Sequence, residues 1–110
     1  GTGTPIREWV FMPDVARLIK EILDSGRYDL PNPINVGQET GVSILDSAKT
    51  ARDALGYDVD FIFDTKKQDG APVKVLGCKK FRKFFPNFTF TEISDGIQET
   101  IDYYKQCQLS

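Results

Sequence analysis

The chain contains no histidine. Within these residues that excludes a Ser-His-Asp or Cys-His nucleophile pair, an HExxH metal site and a Cys/His zinc finger. Cysteine is scarce as well. Cys78 and Cys107 are too few for a disulfide framework or for a structural zinc site. With no signal peptide in the polar start Gly1 to Arg7, they are expected as reduced thiols of a cytoplasmic protein. No apolar run approaches the ~20 residues of a membrane-spanning helix, so no membrane partner is expected. Neither sign of charge dominates: 14 basic residues stand against 16 acidic ones, a net of −2. Nucleic-acid-binding domains are usually basic overall, so no nucleic acid is expected as a partner. Any acid–base chemistry has to use Asp, Glu, Lys or Tyr, or residues outside the chain.

What is present is an ordinary globular composition, with 40% hydrophobic and 27% charged residues over 110 positions. Length and mass leave room for one domain, residues 1–110. The opening Gly1-Thr2-Gly3-Thr4-Pro5, with no initiator Met, reads as the middle of a loop in a longer polypeptide. Arg7 to Phe11 reads as a short strand closed by Pro13. Asp14 has the character of an N-cap, and Val15, Leu18, Ile19, Ile22 and Leu23 recur at helical spacing up to Gly26. Ile34-Asn35-Val36-Gly37 is a brief strand fit to extend some larger sheet. Ser43 with Asp46 forms a capping box ahead of a helix that stops at Gly56. Asp58 to Phe63 alternates as a strand does, and Lys79 to Phe85 reads as a short helix before Pro86. Thr91 caps a last helix striped by Ile93, Ile97, Ile101 and Tyr104. Helices alternating with short strands make the chain α/β or α+β. Trp9, Phe84 and Phe85 are expected in the core.

Between Lys66 and Lys83 lie seven basic residues and one acid, a local charge of +6 able to attract an anion such as a nucleotide diphosphate. Lys79, Lys80 and Lys83 read as a solvated helix face. Lys74, between Val73 and Val75, is expected to be partly fixed by its neighbours. Arg7 in an apolar strand either pairs with an acid such as Glu8 or Asp14 or grips a phosphate with its guanidinium fork. Asp69 before Gly70 is a turn residue or an acceptor for sugar hydroxyls. Gly1-Thr2-Gly3 lacks the third glycine of a dinucleotide loop, since Ile6 stands there.

Several segments together resemble one family. Thr4-Pro5-Ile6-Arg7-Glu8-Trp9 followed by Asp14-Val15-Ala16 is similar to the Arg-Glu-Phe … Asp-x-Ala segment of extended short-chain dehydrogenases/reductases acting on nucleotide sugars. Ile34 to Gly37 with Val42-Ser43-Ile44 resembles a strand and helix in the second half of those enzymes. Phe63 to Lys74 resembles the Phe-Asp-x-x-Lys-Pro-Asp-Gly-x-x-x-Lys stretch of the GDP-L-fucose synthase family, with Gln68 in place of proline. The resemblance implies the C-terminal, substrate-binding part of an α/β enzyme whose Rossmann core lies outside this chain. It implies reduction and epimerisation of GDP-4-keto-6-deoxy-mannose to GDP-L-fucose with NADP(H) bound elsewhere. Arg7, Asp69 and Lys74 match that family's substrate-binding positions, so the GDP-sugar and the Rossmann domain are the expected partners and a homodimer the expected assembly. No Tyr-x-x-x-Lys pair occurs here, so no catalytic residue is assigned. Two alternatives remain: another nucleotide-sugar epimerase, reductase or dehydratase, and a non-catalytic anion-binding module.

Overall fold

A computed structural model describes residues 1–108 of the chain. The elements run β1 (Ile6–Arg7), α1 (Met12–Ser25), β2 (Val42–Ser43), α2 (Ile44–Leu55), β3 (Val73–Lys74), α3 (Lys79–Phe84) and α4 (Ile93–Gln108). The result is a mixed helix and sheet architecture. The three short strands form one sheet in the order β2-β1-β3. Strand β1 pairs antiparallel with β2 and parallel with β3, setting Ile6 against Val73 and Arg7 against Lys74.

Helix α1 begins at Met12, with Phe11 at the N-cap position and Pro13 inside the first turn. Proline is tolerated there because its missing N–H would have had no intrahelical partner. Asp14 is therefore not the N-cap that its position after Pro13 predicts. It sits in the first turn, buried, and its carboxylate accepts from the Thr91 amide at 2.7 Å, the Thr91 hydroxyl at 3.0 Å and Arg17 Nη2 at 2.9 Å. Thr91, read as the cap of the last helix, spends its hydroxyl on Asp14, and α4 starts two residues later. The other local signals hold. The Ser43 hydroxyl accepts from the Asp46 amide at 2.9 Å and caps α2, and α1 and α2 end at Gly26 and Gly56, both left-handed.

Burial works to raise the Asp14 pKa, but the Thr91 amide, the Arg17 side chain and the Thr91 hydroxyl outweigh it and hold the carboxyl below its ordinary value. A carboxyl depressed in the folded state contributes stability above its unfolded pKa and loses it as pH falls through the folded value. Asp14→Asn should therefore lower the urea midpoint at pH 7 and narrow its difference from the wild type once the pH drops below about 4. A midpoint difference that does not change between pH 7 and pH 3 would contradict this.

The core is aromatic. Leu18, Cys78, Phe81, Phe85 and Phe88 are buried together, with Ile22, Leu30, Ile34, Val36, Phe84 and Phe90 packed against them. Trp9, expected in this core, is half-exposed instead and donates from Nε1 to Ser47 Oγ at 3.0 Å. Two expected strands are absent among the described residues. Ile34 to Gly37 and Asp58 to Phe63 have no ladder partner, and a period-2 pattern forms a strand only beside an open edge. Ile34 and Val36 still turn inward, and Asn35 Nδ2 donates to the Gly77 carbonyl at 3.3 Å.

The radius of gyration is 17.0 Å, whereas a compact domain of this length has about 13 Å. The exposed surface of 8230 Å² exceeds by about 2,100 Å² that of a compact 12.4 kDa protein. Part of the excess is apolar. On α1, Met12, Ala16, Ile19 and Leu23 follow one another at helical spacing and are all exposed, a second stripe beside the one that meets the core.

Candidate functional site

Of the residues singled out above, Arg7 and Asp69 share one cleft, and Lys74 is paired with Arg7 across the β1–β3 ladder. Pairing sets Arg7 directly opposite Lys74, and cross-strand partners leave a sheet on the same face. Two cations so placed repel each other unless an anion joins them. Among the described residues, neither forms an ion pair with a carboxylate. Arg7 is held by main-chain carbonyls rather than by Glu8 or Asp14: its Nη1 donates to Ile6 at 2.7 Å and to Ala71 at 2.9 Å. The guanidinium lies so close to the 69–71 loop that a Cβ on Gly70 would stand 3.3 Å from Nη2. Nε and Nη2 have no acceptor among the described residues, and they are donors in the fixed fork that suits a phosphate.

Asp69 lies at the Arg7 end. Its carboxylate accepts from the Thr2 amide at 2.9 Å and from the Thr2 hydroxyl. Those two bonds, the hydroxyl first, keep its pKa below the ordinary value, with the Arg7 charge acting the same way. Asp69 thus ties the opening segment to the loop and keeps lone pairs for a further donor. Arg7, Asp69 and Gly70 share a cleft of about 410 Å³ with Pro5, Leu45 and Phe63. Lys74 borders the neighbouring cleft, beside Glu8, Val10, Val36 and Leu76. Its backbone is fixed by the ladder, but its side chain is exposed rather than held by Val73 and Val75. Lys79, Lys80 and Lys83 stand exposed on α3.

Sequence reasoning missed Glu8. Its carboxylate accepts three backbone N–H groups: Gln38 at 2.5 Å, Glu39 at 2.7 Å and Leu76 at 2.8 Å. The available signal was an acid next to Arg7 in an apolar strand, which alternation sends to the opposite face. Glu39, at φ 61, passes the arrangement on by accepting from the Cys78 amide at 2.7 Å. Burial first, then the charges of Glu8 and Glu39, push the Cys78 thiol up. A buried thiol of that kind is inert rather than nucleophilic. No group of three or more potential metal ligands occurs among the described residues, and no helix is long and apolar enough to cross a membrane.

No family model matches the chain. It is 32% identical over 104 residues to the GDP-L-fucose synthase of Dictyostelium discoideum, covering 94% of this chain and 32% of that protein. To the GDP-L-fucose synthase 1 of Arabidopsis thaliana it is 29% identical over 106 residues, 94% of this chain and 31% of that protein. A crystal structure of a GDP-L-fucose synthetase from Naegleria fowleri bound to NADP superposes on the whole chain with a TM-score of 0.87 at 28% identity, using 34% of its own length. The chain spans about a third of the length of the curated relatives it matches. In sequence and in fold alike, the chain is similar along its length to the C-terminal part of the GDP-L-fucose synthases.

Proposed function

We propose that this chain is the GDP-sugar-binding part of an NADP-dependent epimerase/reductase that makes GDP-L-fucose from GDP-4-keto-6-deoxy-mannose. The observation that carries the reading is Arg7, without a carboxylate partner among the described residues, beside the Asp69–Gly70 loop in one cleft and paired with Lys74 across the ladder. Arg7 offers its free Nε and Nη2 donors to the diphosphate, Lys74 adds a point charge beside it, and Asp69 accepts from a hydroxyl or N–H of the nucleotide sugar. The residues act by binding and orientation, so that the sugar is presented in one pose to reacting groups held elsewhere.

NADP does not fit the described residues. Their only parallel pairing joins two-residue strands, and no glycine-rich turn leads from a strand into a helix there. We assign the cofactor and the catalytic groups to the rest of the enzyme. That part is also the partner proposed for the excess surface, with the Met12–Ala16–Ile19–Leu23 stripe as its apolar contact. A reducing, cytoplasmic setting and a homodimeric intact enzyme complete the reading; the buried, unpaired Cys78 thiol agrees with the former.

Calorimetric titration tests it. The intact protein should bind GDP more tightly than UDP, and the 110-residue chain should show no saturable micromolar binding of NADPH. Equal affinity for GDP and UDP would favour another nucleotide-sugar enzyme. Saturable NADPH binding by the 110-residue chain would overturn the assignment of the cofactor.

A further inference from the structure

We propose that Glu8 is a positioning residue for the anion site, holding Lys74 opposite Arg7 without touching the ligand. The inference rests on the functional reading above. It comes from the bonds that surround β3. The Glu8 amide donates to the Lys74 carbonyl at 3.2 Å, and the Glu8 carboxylate accepts from the Leu76 amide at 2.8 Å. One residue thus grips the chain on both sides of Val75, immediately after Lys74. The same carboxylate collects the Gln38 and Glu39 amides. Glu39 in turn takes the Cys78 amide, and Gln38 Nε2 donates to the Trp9 carbonyl at 2.8 Å. The 37–39 turn and the 74–78 segment are therefore fastened to the end of β1 by a network centred on the Glu8 side chain and extended by Gln38 and Glu39.

The structure leaves close room for this carboxylate. A Cβ on Gly37, which is buried, would stand 2.6 Å from Glu8 Oε1 and 3.0 Å from Oε2. A carboxylate accepting two or three backbone N–H groups is a charge-assisted bracket, and its amide isostere cannot replace it, because the –NH₂ would face a donor. Strand β3 is only two residues long, and the Ile6 amide donating to the Pro72 carbonyl at 2.7 Å fastens its other end. Without the Glu8 carboxylate the main-chain bond to the Lys74 carbonyl remains, but the Leu76 amide just beyond it loses its acceptor. Arg7 is different. Its anchors, the Ile6 and Ala71 carbonyls, do not involve Glu8.

This asymmetry gives a test that a general loss of stability would not mimic. GDP binding to the intact protein is measured for Lys74→Ala and Arg7→Ala, each in the wild-type and in the Glu8→Gln background. In the wild-type background each single replacement is expected to raise the Kd at least about tenfold. In the Glu8→Gln background Lys74→Ala should add about twofold at most, because Lys74 no longer stands at the site, while the Arg7→Ala effect stays at least about tenfold. Gly37→Ala, which displaces the carboxylate sterically and leaves its charge in place, should reproduce the pattern and carries the test if Glu8→Gln does not fold. A Lys74→Ala effect that is the same in both backgrounds overturns the role of Glu8 and leaves the anion site standing. No effect of Lys74→Ala or Arg7→Ala in either background overturns both.

Discussion

Phe81→Ala is expected to leave the 110-residue chain without a cooperative unfolding transition at 25 °C. Phe81 is fully buried, with the Phe85, Phe88 and Phe90 rings at centroid distances of 5.5, 5.8 and 5.8 Å and the Arg82 guanidinium 5.3 Å from its own centroid. Truncating a buried Phe to Ala costs about 3–5 kcal/mol, in lost transfer energy plus the cavity left behind. A domain of this size commonly has roughly 5–15 kcal/mol in total, and the open surface places this chain near the lower end. No second cluster takes over among the described residues, because Phe81 is the ring around which the buried set is arranged. Urea unfolding followed by near-ultraviolet circular dichroism reads the effect. Ile62→Ala is the control: its side chain is almost fully exposed and the change should stay within about 0.5 kcal/mol. A Phe81→Ala midpoint near the wild type would show that the aromatic cluster does not carry the fold.

The second large effect concerns ligand binding in the intact protein. On the proposed reading, Arg7→Ala and Lys74→Ala should each remove one charge-assisted contact to the diphosphate, worth roughly 1.5–3 kcal/mol, which corresponds to about a 10- to 150-fold loss of affinity. The diphosphate is remote from the sugar carbons being changed, so the loss should fall mainly on KM for the GDP-sugar, with kcat less affected. Arg7→Lys should recover only part of it. An ammonium has no planar fork, and it cannot bond the Ile6 and Ala71 carbonyls and a phosphate in the same arrangement. Lys79→Ala and Lys83→Ala should do little, since both side chains are exposed on α3. Steady-state kinetics on these variants decides between a built site and a diffuse field. Equal, small effects at Arg7, Lys74, Lys79 and Lys83 would mean that Arg7 and the +6 segment act only through their overall charge.

The features legible in the sequence are those that need only near neighbours. The stripe of α1, the Ser43 cap of α2, the stops at Gly26 and Gly56 and the short helix at Lys79 all depend on bonds or contacts within about four residues, and the chain folds as they indicate. The absence of histidine and of a Tyr-x-x-x-Lys pair likewise sets a limit on the chemistry without any fold. The motif match to nucleotide-sugar enzymes led to Arg7, Asp69 and Lys74, and register alone sets Arg7 against Lys74.

Other choices were tertiary, because each depends on which distant group is within reach. Asp14 at a helix start can cap its own helix or serve another segment, and the amide of Thr91, 77 positions away, settles that choice. Alternating residues at 34–37 and 58–63 have the strand period, yet a strand is defined by the edge beside it, and among the described residues no such edge is present. Trp9 is apolar by composition but stands outside the aromatic cluster, held at its indole nitrogen by Ser47. Glu8 is the clearest instance. Next to Arg7 in sequence it reads as an ion-pair partner, but strand alternation turns the two side chains to opposite faces. There the carboxylate finds the Leu76 amide, 68 positions away. Composition, helix signals and motif spacing are properties of the chain itself; strand partners and the acceptors chosen by Asp14 and Glu8 exist only once remote segments have met.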